Sequence, residues 1–269
     1  MAAFQERARS RKVCMGVHHS AMSPQIIELY GHIGLDYVIV SSEVESLDKY
    51  TMENLLRAAD AAKTVPVVKV LRNDPDAIEE AMNAGAPMVM VPHCLHRKHI
   101  DDGLRASRFL QGGKGTRGLC PVARYTGYGS GSMENSVKIV NEGKNIIPII
   151  EDVEALPNLE DMISHPEVDI FEIGPFDLSQ SMGLRPDLSY ANPPVMEALE
   201  KIGALCRKYK KGLVAPFWVP KDCDSPSKVI SWQYEQLIKR GVTIFYGIEV
   251  LMLTRIFRDW MPLREQNAD

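Results

Sequence analysis

The sequence predicts a (β/α)8 TIM barrel with an extra C-terminal helix, and three observations carry that reading. Short apolar runs alternate with longer amphipathic segments along the chain. The runs are rich in Val, Ile and Leu with no polar alternation, which is how strands read when both faces are covered. The chain has 269 residues, and about 250 is usual for this barrel. An open doubly wound sheet is the runner-up.

In chain order the predicted strands are Val13–His18, Tyr37–Ser41, Val65–Val70, Met88–Val91, Ile146–Glu151, Asp169–Ile173, Leu213–Pro216 and Thr243–Tyr246. Helical spacing fills the intervals: Pro24–His32, Met52–Lys63, Pro75–Ala84, Lys98–Leu110, Met133–Glu142, Leu156–Ser164, Pro194–Lys210 and Ser225–Arg240, then a last helix over Glu249–Trp260. Ser23-Pro24 and Asp74-Pro75 pair an N-cap residue with a first-turn proline. Gly85 and Gly212 stand just past helix ends. The chain reads as one barrel domain over residues 1–269, with 1–12 as a solvated, flexible basic arm and 249–269 as the terminal helix and tail. Gln111–Ser132 breaks the rhythm. Its seven glycines, with Arg117, Arg124, Tyr125 and Tyr128, suit a loop that meets an anionic ligand or a neighbouring subunit, or one that is merely solvated.

Composition narrows the function classes. A net charge of -4 gives no electrostatic footprint for nucleic acid. The longest apolar stretches fall far short of the roughly 20 residues that span a bilayer. The first residues lack the apolar block of a secretory signal, and five scattered cysteines with no CxxC pair read as free thiols. The expectation is a cytoplasmic protein acting on a small molecule.

A barrel of this kind does its chemistry where strands end. The polar residues there are His18 and His19 after the first strand, Ser41, Ser42 and Glu43 after the second, Lys69 and Arg72 at the third, His93 after the fourth, and Glu151 and Asp152 after the fifth. Gly174-Pro175-Phe176-Asp177 follows the sixth strand, Trp218 the seventh and Glu249 the eighth. Glu151 and Asp177 follow neighbouring strands. Two carboxylates without softer donors suit a hard cation that keeps waters and takes substrate oxygens. The same pair also reads as a helix cap and a turn residue.

Ile149-Ile150-Glu151, and Val168 to Ser179 with Gly174-Pro175-Phe176-Asp177-Leu178-Ser179 at its centre, resemble the HpcH/HpaI aldolase/citrate lyase family. Gly34-Leu35-Asp36-Tyr37, Val65-Pro66-Val67-Val68-Lys69, Ala84-Gly85-Ala86, Val91-Pro92 and Gly115-Thr116-Arg117-Gly118 agree in order and spacing, from about Gly16 to Leu251. The resemblance implies a divalent metal (Mg²⁺, Mn²⁺ or Co²⁺) on Glu151 and Asp177, and a pyruvate-like 2-oxo acid whose carboxylate meets the backbone of the Gly174, Pro175, Phe176 and Asp177 turn. It also implies a homo-oligomer, with a hexamer favoured. The apolar positions Ile248, Val250, Leu251, Met252, Leu253, Ile256, Phe257, Trp260 and Met261 support assembly through the last helix.

Other positions depart from the resemblance. Where the family carries Asp-x-Glu-His after strand two, this chain reads Ser41-Ser42-Glu43-Val44. The family's strand-three arginine is Lys69, which keeps the charge and loses the bidentate fork. A glutamine two residues before the metal glutamate is Ile149. The metal half persists and the proton-transfer half does not. His18 or His19 is the predicted replacement base, with His93 possible and Glu43 as fallback beside Lys69. The predicted function is a metal-dependent carbon–carbon lyase of aldolase type. The alternatives are a base-independent 2-oxo diacid decarboxylase or citrate-type synthase, an imine aldolase through Lys69, and a non-catalytic remnant that binds 2-oxo acids.

Overall fold

The computed structural model describes residues 2–186, 190–220, 223 and 225–260. Eight parallel strands close a barrel in sequence order: β1 Cys14–His19, β2 Tyr37–Ser41, β3 Val65–Lys69, β4 Met88–Val91, β5 Ile146–Ile150, β6 Ile170–Ile173, β7 Gly212–Pro216 and β8 Ile244–Ile248. All eight match the predicted runs to within two residues. The helices are α1 Ala2–Arg9, α2 Pro24–His32, α3 Lys49–Ala61, α4 Pro75–Asn83, α5 Arg97–Ser107, α6 Met133–Glu142, α7 Leu159–Ile163, α8 Pro175–Ser181, α9 Pro193–Lys208, α10 Pro226–Lys239 and α11 Glu249–Trp260. Met261 and the predicted tail lie outside the described residues.

Local signals explain most helix starts. The side chains of Asp48 and Asp74 accept first-turn N–H groups of α3 and α4. Pro24, Pro75, Pro193 and Pro226 open their helices. Ser23 occupies the cap position of α2 without a side-chain cap bond, its hydroxyl turning instead to Gln25. After α9 the left-handed turn falls on Lys210 (φ 55), Gly212 being already in β7.

Strand alternation divides the core. Cys14, Tyr37, Ile39, Val67, Met90, Ile149, Ile170, Val214 and Ile244 fill the barrel interior. The intervening residues, such as Val38, Val68 and Phe171, pack outward under the helices. Both faces are buried, which is why the strands read as continuous apolar runs. Gly16 makes room inside, since a Cβ there would lie 2.5 Å from the Tyr37 ring.

Two expectations are corrected. Residues 1–12 contain a helix, not a flexible arm. Phe4 and Ala8, one turn apart on α1, are buried in the interior cluster at the end of the barrel where strands begin. The Phe4 and Tyr37 rings lie 5.1 Å apart. The basic residues read as solvated pair with acidic residues on that rim: Arg7 with Asp36 at 3.5 Å and Arg9 with Asp169 at 3.6 Å. Gln111–Ser132 is also tied down. Arg117 is buried against the rings of Phe109 and Tyr125, and it donates to Asn83 Oδ1 and to the Ser107 carbonyl. Arg124 pairs with Asp60. Asn83, Ser107 and Asp60 lie at helix C-terminal ends, so the loop is anchored on the face opposite the strand C-termini. Arg117 and Arg124 serve the loop's own anchoring, not an anionic ligand at the mouth.

Candidate active site

Continuing the interior alternation toward the strand C-termini turns His18, Ser41, Lys69, Glu151, Glu172 and Tyr246 inward at the mouth. Glu151 follows β5 and is 2% exposed. Its Oε1 accepts the His93 N–H at 2.9 Å. A Cβ at position 174 would lie 2.5 Å from Oε2, so the glycine is what lets this carboxylate sit there. Burial pushes the Glu151 pKa up, with a smaller push from Asp177, against the pull of Lys69 and of His93.

Asp177 is the third residue of α8 and is exposed. The segment read as a turn is therefore a short helix, opened by Pro175. This corrects the expected carboxylate cradle. The Gly174 N–H already donates to the Ile150 carbonyl, and Pro175 has none. Of the expected turn amides, those of Phe176 and Asp177 remain as first-turn donors that the helix itself does not use.

Lys69 ends β3 and pairs with Glu43. Burial works against its charge, yet Glu172, Glu151 and Glu43 hold its pKa above the ordinary lysine value. Glu43 is thereby committed to an ion pair. Val44 is 77% exposed.

The two adjacent histidines separate completely. His18 faces the mouth, its Nε2 3.0 Å from Glu45 Oε1 and its ring edge-on to Tyr246 at 6.4 Å. His19 faces outward and is fully buried. Its Nε2 accepts the Ser23 N–H at 3.0 Å, and its Nδ1 lies 2.9 Å from Glu249 Oε2. The expectation that His19 shares the mouth is corrected by strand alternation: one of two consecutive residues must face the helices. His93 stands at the rim, with Nδ1 3.0 Å from Asp152 Oδ2.

Three residues of the mouth escaped the sequence reading. Glu45 is mostly buried. Burial opposes its charge, but hydrogen bonds from His18 and Ser41 hold it down to about 2. Glu172 is 2% exposed and accepts the Tyr246 hydroxyl at 2.8 Å. Burial pushes it up to about 7 against the pull of Lys69 and Tyr246. Its Oε2 has no hydrogen-bond partner among the described residues. Inward alternation along β6 and β8 was the signal for Glu172 and for Tyr246, the third of these residues; no periodic signal reaches Glu45.

An eight-stranded parallel barrel with carboxylates and a cationic lysine converging at the strand C-termini defines the class, a TIM barrel with an enzyme-type mouth. Residues 15–242 match the HpcH/HpaI aldolase/citrate lyase family, and the chain belongs to it. A 2-dehydro-3,6-dideoxy-6-sulfogluconate aldolase of Pseudomonas putida is 29% identical over 169 residues, 63% of this chain and 65% of that protein. The chain thus matches just under two thirds of that relative's length. A hydroxypyruvate/pyruvate aldolase of Paraburkholderia phytofirmans is 27% identical over 74% of this chain and 76% of its own. The crystal structure of an HpcH/HpaI aldolase/citrate lyase family protein from Burkholderia cenocepacia superposes with TM-score 0.84 at 22% identity, covering 99% of this chain and 100% of that one. It shares the fold. Among the described residues, no helix is long and apolar enough to cross a membrane.

Proposed function

We propose that the protein is a divalent-metal-dependent carbon–carbon lyase of aldolase type acting on pyruvate-like 2-oxo acids. The observation that carries this reading is Glu151: a carboxylate buried in the mouth, beside a glycine that leaves room at its Oε2, and within charge range of Asp177 and Lys69. The donor set fits a hard cation. Among the described residues no three His, Cys, Asp or Glu side chains form a metal cage. Two carboxylates alone suit Mg²⁺, Mn²⁺ or Co²⁺ with water and substrate oxygens filling the remaining positions. When bound, such an ion acts as a Lewis acid on the 2-oxo group and stabilises negative charge developing on its oxygen.

The chain's own residues supply the rest. Lys69 offers a fixed positive charge to the same developing charge, in a site shielded from water. The N–H groups of Phe176 and Asp177 are donors for the substrate carboxylate. Imine chemistry at Lys69 needs a neutral amine, and three carboxylates favour the ammonium form. The aldolase names of the relatives support the substrate class.

The test is oxaloacetate decarboxylation and aldol addition of pyruvate to short aldehydes, each with Mg²⁺ or Mn²⁺. Both should proceed with metal and stop in chelator. Full activity in chelator would overturn metal dependence. No turnover of either kind would favour a remnant that only binds 2-oxo acids.

A further inference from the structure

We propose that His18 and Glu45 form the acid–base pair of this chain, His18 exchanging protons with substrate and Glu45 acting as the positioning residue that fixes its tautomer and steadies its cation. The proposal rests on the lyase reading for the reaction served. Its geometry is independent of that reading. β1 and β2 are neighbours in the barrel, so a residue late in β1 and one in the segment after β2 meet over the same edge of the mouth. Here they meet at 3.0 Å, with side chains only 15% and 13% exposed. The histidine of the pair thus comes from β1, while in the pattern the sequence resembles both histidine and carboxylate follow strand two. The segment after β2, which carries Val44 where a histidine was expected, now supplies the carboxylate one residue later.

The protonation pattern follows from the contact. A carboxylate held down near 2 accepts and does not donate at neutral pH, so the hydrogen between the two groups is on Nε2. Glu45 Oε2 has no hydrogen-bond partner among the described residues. The imidazole is therefore the main partner of this carboxylate charge, with the Ser41 hydroxyl beside it. With the hydrogen on Nε2, Nδ1 is the nitrogen that carries the lone pair. This is the arrangement in which a carboxylate orients an imidazole and stabilises its cation as the other nitrogen takes a proton.

The step balances without a co-reactant. Nδ1 removes the C4 hydroxyl proton of a 4-hydroxy-2-oxo acid as the C3–C4 bond breaks. The bond's electron pair enters the enolate and the aldehyde leaves. The imidazolium then returns that proton to C3, giving pyruvate. Decarboxylation of oxaloacetate breaks a bond to carbon dioxide and needs no hydroxyl proton removed. The two reactions therefore separate proton transfer from enolate stabilisation.

The experiment compares wild type, His18→Gln and Glu45→Gln in both reactions with Mg²⁺, alongside ¹⁵N spectra of the histidine rings in metal-free wild type. We expect retro-aldol kcat to fall about 10²-fold or more in His18→Gln, from the usual worth of general acid–base assistance. In Glu45→Gln it should fall about tenfold with KM unchanged, as for a group that acts only through His18, while decarboxylation, which removes no hydroxyl proton, stays within about twofold in both. The wild-type spectrum should show His18 protonated at Nε2. Unchanged aldol rates in both variants would overturn the proposal. So would a parallel loss of decarboxylation, which marks a merely structural pair, or an Nδ1–H tautomer in wild type. Absence of both activities in wild type would instead overturn the lyase reading, leaving the tautomer to decide the pair.

Discussion

Lys69 shows how one cation organises the mouth. Three carboxylates hold it charged, and it in turn tempers Glu151 and Glu172. Replacing it by methionine should abolish both lyase reactions, because the buried acids then lose their shared counter-charge as well as the substrate losing its electrophile. Pyruvate with cyanoborohydride should leave the wild-type mass unchanged, and a reduced adduct on Lys69 would convert the reading to imine chemistry. Asp177→Ala should weaken Mn²⁺ binding by tenfold or more, about 1.4 kcal/mol, as read by calorimetry; unchanged affinity would remove Asp177 from the metal set. Glu172 gives a stability signature. Its carboxyl rises from 4.5 to about 7 on folding. A raised carboxyl favours the native state fully below pH 4.5, and that contribution is lost as pH rises through 7, with a span of roughly 3 kcal/mol. Glu172→Gln should flatten this slope. Denaturation of metal-free wild type and variant at pH 5 and pH 8 checks it, and equal slopes would place the ionisation elsewhere.

At the scale of elements, legibility followed burial. The strands were readable because burial on two faces writes Val-Ile-Leu runs into the chain, and the helices between them because one apolar stripe repeats every turn. Helix α1 was not, since its whole apolar signal is Phe4 and Ala8 among arginines. The Gly174–Pro175 opening of α8 resembles a turn, and only the closed barrel shows that it starts a helix. The placement of Glu151, Lys69 and His18 at the mouth was legible from strand ends. Glu45 was not, because no periodicity fixes where an irregular segment points. His19 was misplaced because a strand-end residue was read without its alternation. The α1 finding carries its own check. Phe4→Ala should lower stability by about 3 kcal/mol, limited by the free energy of docking α1, and an unchanged melting temperature would return α1 to the status of a loose arm.

The whole molecule closes its barrel at both ends differently. Helix α1 plugs the end where strands begin, while α11 follows β8 and leaves Val250, Leu251, Met252, Leu253 and Ile256 between 38% and 50% exposed. Five half-exposed large apolar side chains within seven positions of one helix leave apolar surface of the kind that soluble monomers rarely show. The helix does not bury this face against its own barrel, so a second copy of the chain is the partner we expect, in an assembly built from dimers with six copies favoured. Light scattering should give a mass well above the 30.1 kDa of one chain. Leu253→Asp with Ile256→Asp should shift the mass toward that value, because a carboxylate buried without a partner costs several kcal/mol per site. The same pair should leave the circular dichroism of the barrel intact, since neither residue belongs to its core. A wild-type protein that scatters as a single chain would end the proposal. Unchanged assembly in the double variant would move the interface elsewhere on the surface.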